Sequence, residues 1–402
     1  MAANMSLLNE ALLIGAAQGA LLCIVILSLP SANRTANRLL ASYVGLESLH
    51  LFFLYTSYMD DAAAPDAWLR LLFGLRALDG PAVYLYVRAL SEADFRWHPG
   101  LLRHLWVLLF LFGWFAVLIS DPAWLALSTR ELQQLPSTVA MSAYQSLVLA
   151  AYGLVAWRRL AAHQRRLRQA LSAVDRVNLD WLSWLMGALI ATNALHLALD
   201  LLRLLGLVGA DSKVLVNLCM TLLLIYLISI GGLRQPKVFT DPVREALAAV
   251  DEPAPAVETG QNGGADRSKY QKSGLDEARR TEIWNRLQAL LQQERPHLDP
   301  GLNLPGLARL LGVRPQELSE VINTAYGGSF YDLVNRARVD MAKVLLREPR
   351  ARRRKMLDIA LSVGFSSQST FYSQFRKQTG MTPTVWRDKG EGWPEGGETA
   401  DA

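Results

Sequence analysis

KMLDIALSVGFSSQSTFYSQFRKQTG, residues 355–380, decides the architecture of the C-terminal half of this chain. Ile359, Ala360 and Val363 share one face of a helix, Gly364 supplies a turn, and Phe371 and Phe375, four residues apart, make the apolar face of a second helix. Ser366, Gln368, Ser369, Tyr372, Ser373 and Arg376 stand away from that apolar face. A helix held by its apolar side, with short polar groups and an arginine on the other, is built to lie in a DNA major groove.

The same pattern recurs upstream in LPGLARLLGVRPQELSEVINTAYG, residues 304–327. Leu307, Leu310 and Leu311 form one face, Gly312 is the left-handed turn residue, and Pro315 opens the next helix where its missing N–H costs nothing. On that helix Leu318, Ile322 and Ala325 are expected to point inward, leaving Gln316, Ser319, Glu320 and Asn323 to reach base edges. Between the two units lies SFYDLVNRARVDMAKVLLRE, with Phe330, Val334, Ala337, Met341 and Leu345 at helical spacing. A helix of roughly 20 residues is a rod of ~30 Å. That length suits two recognition helices set in successive major-groove turns about 34 Å apart. The run REPRARRRK (347–355) puts Arg352, Arg353 and Arg354 just before the second unit, where they would contact phosphates and supply salt-dependent affinity.

The expected DNA-binding domain is therefore 271–390, with helix-turn-helix units at about 304–326 and 356–380 and a connecting helix at 329–348. It holds 20 basic and 12 acidic residues, whereas the whole chain is only +5. Residues 391–402 read as a disordered tail, and 239–270, rich in Ala, Pro, Gly and acids, as a flexible linker.

The first 238 residues differ in kind. Seven apolar stretches are expected to cross a membrane: Leu7–Leu29, Arg38–Tyr58, Trp68–Leu90, Leu102–Ser120, Ser137–Trp157, Trp181–Leu205 and Val214–Leu233. Arginines collect in alternate loops, at Arg34 and Arg38, at Arg88, Arg96 and Arg103, and from Arg158 through Arg176. The other loops carry only Arg130 and Lys213, so the N-terminus is expected outside and the C-terminus in the cytoplasm. Polar groups inside such spans are expensive and turn to the bundle interior. Glu47 and His50, Arg76 and Asp79, and Asn193, His196 and Asp200 each share a helix face and are the candidate sensor residues. Gly80-Pro81 is expected to kink the third span. Two histidines in separate spans are too few for a metal site, and the two cysteines lie in apolar stretches, so no metal is expected.

The residues Gly364, Phe365, Phe371, Phe375, Arg376, Gly380, Thr382, Pro383, Trp386 and Arg387 resemble, in order and spacing, the second helix-turn-helix unit of AraC-type (AraC/XylS) transcription regulators. LDGPAVYLYVRAL, LRQPKVF and KYQKSGL are similar to the membrane-bound members of that family. The resemblance implies an all-α chain, a seven-helix transmembrane bundle followed by a linker and a cytoplasmic double helix-turn-helix domain. It also implies a one-component regulator of the bacterial inner membrane that binds promoter DNA and answers a small-molecule or membrane signal. A homodimer, and contact with RNA polymerase if the protein activates, belong to the same expectation. Glu320 departs from the basic residue frequent in soluble members. No nucleophile, metal or phosphate-loop motif stands out, so neither an enzyme nor a cofactor is expected. A transporter or receptor with an appended DNA-binding domain is the alternative.

Overall fold

The computed structural model describes residues 2–28, 33–59, 74–92, 95–120, 124, 127, 131, 135–174, 177, 179–233, 240–251 and 275–389. Among them there is no strand, only one isolated bridge between Leu171 and Asn303. The chain divides into two compact units, Met1–His163 with Leu179–Lys237, and Gln164–Asn178 with Val238–Ala402.

The N-terminal unit contains α1 (Ala2–Ser28), α2 (Arg34–Met59), α3 (Asp79–Ser91), α4 (Trp106–Ile119), the first part of α5 (Pro136–Ala170), α6 (Asp180–Leu204) and α7 (Ala210–Leu233). Its outer surface is apolar: Ile14 is 64% exposed, Leu109 73% and Leu147 66%. Its interior holds Glu47, Ser48, Asp79, Ser142 and Asp200, all buried. Close approach of α1 to α2 depends on Gly19, where a Cβ would lie 3.0 Å from the Cβ of Ser48. There the Ser48 hydroxyl donates to the carbonyl of Ala16 at 2.5 Å.

Among the described residues five helices, not the seven expected, are long and apolar enough to cross a membrane: Leu7–Ser28, Arg34–Ser57, Pro99–Ala116, Pro136–Ala170 and Asp180–Leu204. Of the third expected span, the described α-helix, Asp79–Ser91, has 13 residues, about 20 Å of rise against the ~30 Å of a hydrocarbon layer. A 3-10 turn, Leu75–Leu78, precedes it, and Trp68–Phe73 lie outside the described residues. Pro81 sits in the first turn of α3, where proline is tolerated, so the helix starts there rather than kinking. In the seventh, the described apolar stretch is Ser212–Ile228, short of the ~20 residues a span needs. Lys213, counted above as a loop charge, is instead a mostly buried partner of Asp200.

The C-terminal unit continues with α8 (Asp241–Asp251), α9 (Glu277–Gln293), α10 (Leu304–Leu311), α11 (Pro315–Val321), α12 (Phe330–Arg347), α13 (Met356–Ser362), α14 (Gln368–Thr379) and α15 (Pro383–Asp388). Helix α8 corrects the expectation of an unstructured tether from 239, because Val243 and Ala246 find an apolar surface to bury against. Residues 252–270 of that tether, the tail 391–402, and the loop charges Arg130 and Arg176 lie outside the described residues.

Helix starts in this unit are fixed by side chains written into the sequence. Asn303 caps α10 by accepting from the Gly306 N–H at 2.8 Å, Ser329 and Asp332 form a capping box on α12, and Ser367 accepts from the Thr370 N–H at 3.2 Å. Two apolar clusters result. One gathers Ile283, Leu287, Leu307, Leu318, Val321 and Phe330; the other gathers Val339, Ala342, Ile359, Phe365, Phe371 and Phe375.

Candidate nucleic-acid interface and buried polar cluster

In the second unit the expected division of faces holds. Phe371 and Phe375 are fully buried, with ring centroids 5.7 Å apart, while Gln368, Ser369, Ser373 and Arg376 are exposed along the other side of α14. Ser366 is half-buried before the helix. Tyr372 is half-buried too, its hydroxyl 2.8 Å from the Thr384 hydroxyl, which fixes the ring beside the reading face. Arg352, Arg353 and Arg354 are exposed at the 3-10 turn Pro349–Arg353 and its end.

The first unit is less open. Helix α11 ends at Val321 and passes into a π turn, Ile322–Tyr326. That turn carries Ala325, expected inside, to the surface, while Val321 joins Leu318 and Ile322 in the core. Asn323 is exposed; Gln316, Ser319 and Glu320 are half-buried. Glu320 lies 4.0 Å from Arg280 of α9, and the Gln316 amide donates to the carbonyl of Ala249 at 3.0 Å.

The connecting helix α12 holds the residue that sequence reading missed. Its inner face from midway on is Asn335, Arg338, Val339, Ala342 and Leu346, all buried, whereas Ala337, Met341 and Leu345 are only half-buried. Arg338 is 1% exposed. Its guanidinium donates to the carbonyls of His297 (2.7 Å), Asp299 (2.8 Å) and Ser172 (3.1 Å), to the Ser172 hydroxyl (3.1 Å) and to Asn335 Oδ1 (3.3 Å). It also lies over the Phe365 ring at 5.8 Å. A charge is tolerated this deep because its N–H groups are taken up by oxygen acceptors. The signal was its spacing, four after Val334 and eight after Phe330; hydrophobicity alone puts an arginine outside. His297 is buried beneath it, and burial, with Arg338 and Arg295 nearby, pushes its imidazole down to about 4.

In the N-terminal unit most of the candidate sensor residues converge. Arg76 lies 3.6 Å from Glu47 and 3.7 Å from Asp79. His196 and Asp200 meet at the Ser142 hydroxyl, 3.1 Å from His196 Nε2 and donating to Asp200 Oδ2 at 2.5 Å; Lys213 pairs with the other oxygen of Asp200. Asn193 donates to the Ser146 carbonyl at 3.0 Å. Glu47, Arg76, Asn193 and His196, with Tyr43, line a cavity of about 30 Å³, room for one or two waters. His50 is buried but does not line that cavity. Ser142, Tyr43 and Lys213 are the members sequence reading did not include.

Two helix-turn-helix units joined by one helix, each with a polar recognition face, define a DNA-binding transcription regulator. A family model described as "Helix-turn-helix domain" matches residues 307–389. Regulatory protein SoxS of Escherichia coli (strain K12) is 30% identical over 103 residues, covering 26% of this chain and 94% of SoxS. Transcriptional regulator Rob of Salmonella typhimurium is 33% identical over 95 residues, 24% of this chain and 32% of Rob. Right origin-binding protein of E. coli (strain K12) is 33% identical over 91 residues, 23% and 30% of the two chains. The chain belongs to the AraC/XylS-type helix-turn-helix transcription regulators through this C-terminal domain. No solved structure matches it significantly.

Proposed function

We propose that this protein is a membrane-anchored one-component regulator, its N-terminal unit a sensor in the bacterial cytoplasmic membrane and its C-terminal unit a sequence-specific reader of promoter DNA. The observation that carries the membrane half is the inverted polarity of the N-terminal unit, with leucine and isoleucine outside and ionisable groups paired within. A water-exposed apolar surface of that extent is a liability, while lipid removes the penalty and makes buried ion pairs the only affordable place for charge. The alternating arginines favour an external N-terminus and a cytoplasmic C-terminus. The paired charges around Arg76 and Asp200 are the candidate receptor for a small-molecule or membrane signal. Homodimerisation would be aided by confinement to a surface, and contact with RNA polymerase follows if the protein activates.

On the DNA side, Gln368, Ser369, Ser373 and Arg376 read the groove from α14, and Arg352, Arg353 and Arg354 hold phosphates. The test is chromatin pull-down with sequencing, using the full chain and a variant carrying Arg376→Ala with Arg352→Ala, Arg353→Ala and Arg354→Ala, in membranes washed free of peripheral protein. Discrete promoter peaks that the variant loses are expected from the membrane fraction. Protein released by the wash refutes anchoring. Absence of peaks combined with a measured solute flux would favour the transporter alternative.

A further inference from the structure

Two segments of the C-terminal unit lie outside the helix-turn-helix domain yet are folded onto it. Residues 164–174 continue from α5, and α8 (Asp241–Asp251) follows α7 in sequence. They pack on each other and on α12: Leu167, Leu171 and Val174 form one apolar cluster with Val243, Ala246 and Tyr331. Polar contacts fasten the same pair. The Ser172 hydroxyl donates to the Leu302 carbonyl at 2.6 Å, and the Ser172 carbonyl accepts from Asn335 at 3.3 Å and from Arg338 at 3.1 Å. Helix α8 packs against both α10 and α11. Glu245 lies 3.8 Å from Arg309, and the Ala249 carbonyl takes the amide N–H of Gln316.

Gln316 is the second residue of α11, and it is the N-terminal residues of a recognition helix that meet base edges. A glutamine reads adenine by donating to N7 while accepting from the N6 amino group. While its amide donates to Ala249 the side chain is held toward α8 rather than free to turn to a base, and α8 is packed on both helices of the first helix-turn-helix unit. We propose that residues 164–174 and α8 form a clasp that masks the first recognition helix, so that DNA reading by the first helix-turn-helix unit requires the clasp to open. Both halves of the clasp are covalently continuous with apolar helices of the N-terminal unit, which gives a change there a direct mechanical hold on the first unit and leaves the second, open unit to keep a weaker grip on DNA. The inference rests on the DNA-reading role proposed above for α14 and expected from the sequence for α11.

The test uses the full chain in lipid nanodiscs and a randomised DNA duplex pool, followed by affinity measurement on the enriched duplex. Ala246→Glu places a charge in the apolar cluster and opens the clasp. Glu245→Cys with Arg309→Cys, in a background of Cys23→Ala and Cys219→Ala, allows the clasp to be bridged shut by a short bifunctional methanethiosulfonate that a reductant cleaves. Opening should tighten binding about tenfold and bridging should weaken it about tenfold, an ordinary size for intramolecular coupling, with recovery after cleavage. Because the bridged protein carries no core substitution, its behaviour separates masking from misfolding. Equal affinity in the bridged, cleaved and Ala246→Glu forms overturns the clasp while leaving the DNA-reading role intact. Failure of all three, and of the unsubstituted protein, to enrich any sequence overturns both.

Discussion

The two units of this chain solve the burial problem in opposite senses. In the C-terminal unit Phe371, Phe375 and Leu307 are fully buried while Arg352, Arg353 and Arg376 stand outside; in the N-terminal unit Leu109 and Leu147 face outward while Glu47, Asp79 and Asp200 are enclosed. The first arrangement is stabilised by removing apolar area from water. In the second, apolar area contributes little where the surroundings are themselves apolar, and packing of small residues with satisfaction of polar groups decides the structure. The difference teaches that a leucine and a carboxylate exchange their energetic roles along one polypeptide.

The sharpest way to break the comparison is to truncate one apolar side chain in each unit. Phe371→Ala should cost the C-terminal unit about 4 kcal/mol, whereas Leu109→Ala should cost close to nothing; pulse proteolysis of the full chain in nanodiscs measures both. Equal losses would show that Leu109 is packed inside the protein rather than facing outward. Next comes the polar counterpart. Asp200→Asn leaves Lys213 buried without its counter-charge and should cost about 3 kcal/mol, most of it recovered when Lys213→Met is added. A thermal-unfolding double-mutant cycle reads the coupling, and additive losses would mean that the two groups do not interact.

A smaller effect is expected at Gly364, whose φ is +91° and where a Cβ would fall 2.5 Å from the His297 carbonyl oxygen. Gly364→Ala should therefore cost about 2 kcal/mol through strain and displacement. Gly312→Ala, with φ +64° but open space around it, should cost less; urea midpoints of the two variants rank them.

The smallest effect is that of pH on His297. Its folded value of about 4 lies below the ordinary 6.5, so between these values the unfolded chain binds a proton that the folded chain refuses. The stability it contributes is complete above about 6.5 and is lost as pH falls to about 4. Between pH 7 and pH 5 the melting temperature should drop by a few degrees more in the native protein than in His297→Gln, on the order of what one kcal/mol moves a domain of this size. Parallel profiles would remove His297 from the account.

Much of the C-terminal unit was legible because its helices are amphipathic and its turns carry glycine. Phe371 and Phe375 could only face inward, and Gly312 and Gly364 mark the turns. Three things were hidden. The register of α12 slipped because Arg338 was sorted by charge rather than by spacing. Ala325 moved outward because a π turn adds a residue that no 3.6-residue pattern foretells. Helix α8 was passed over because alanine-rich sequence beside prolines reads as tether, and only Val243 and Ala246 meeting Leu167 and Leu171 give it a reason to fold. In the N-terminal unit the polar residues were found, since a carboxylate in an apolar stretch is conspicuous, but their partners Ser142 and Lys213 lie on other helices and had no local mark. The third span was overcounted because apolar composition conceals a break at Leu75–Leu78.

Gly364 has one further consequence. The carbonyls of His297 and Leu298 that crowd it belong to the stretch of chain leading into the first helix-turn-helix unit, while Gly364 is the turn of the second. The two apolar clusters are separate, yet this backbone seam, with Arg338 beside it, lets neither half be completed alone. Amides on both sides of the seam should consequently exchange with solvent in step, and the pair of DNA-reading helices should be lost or kept as a single cooperative body.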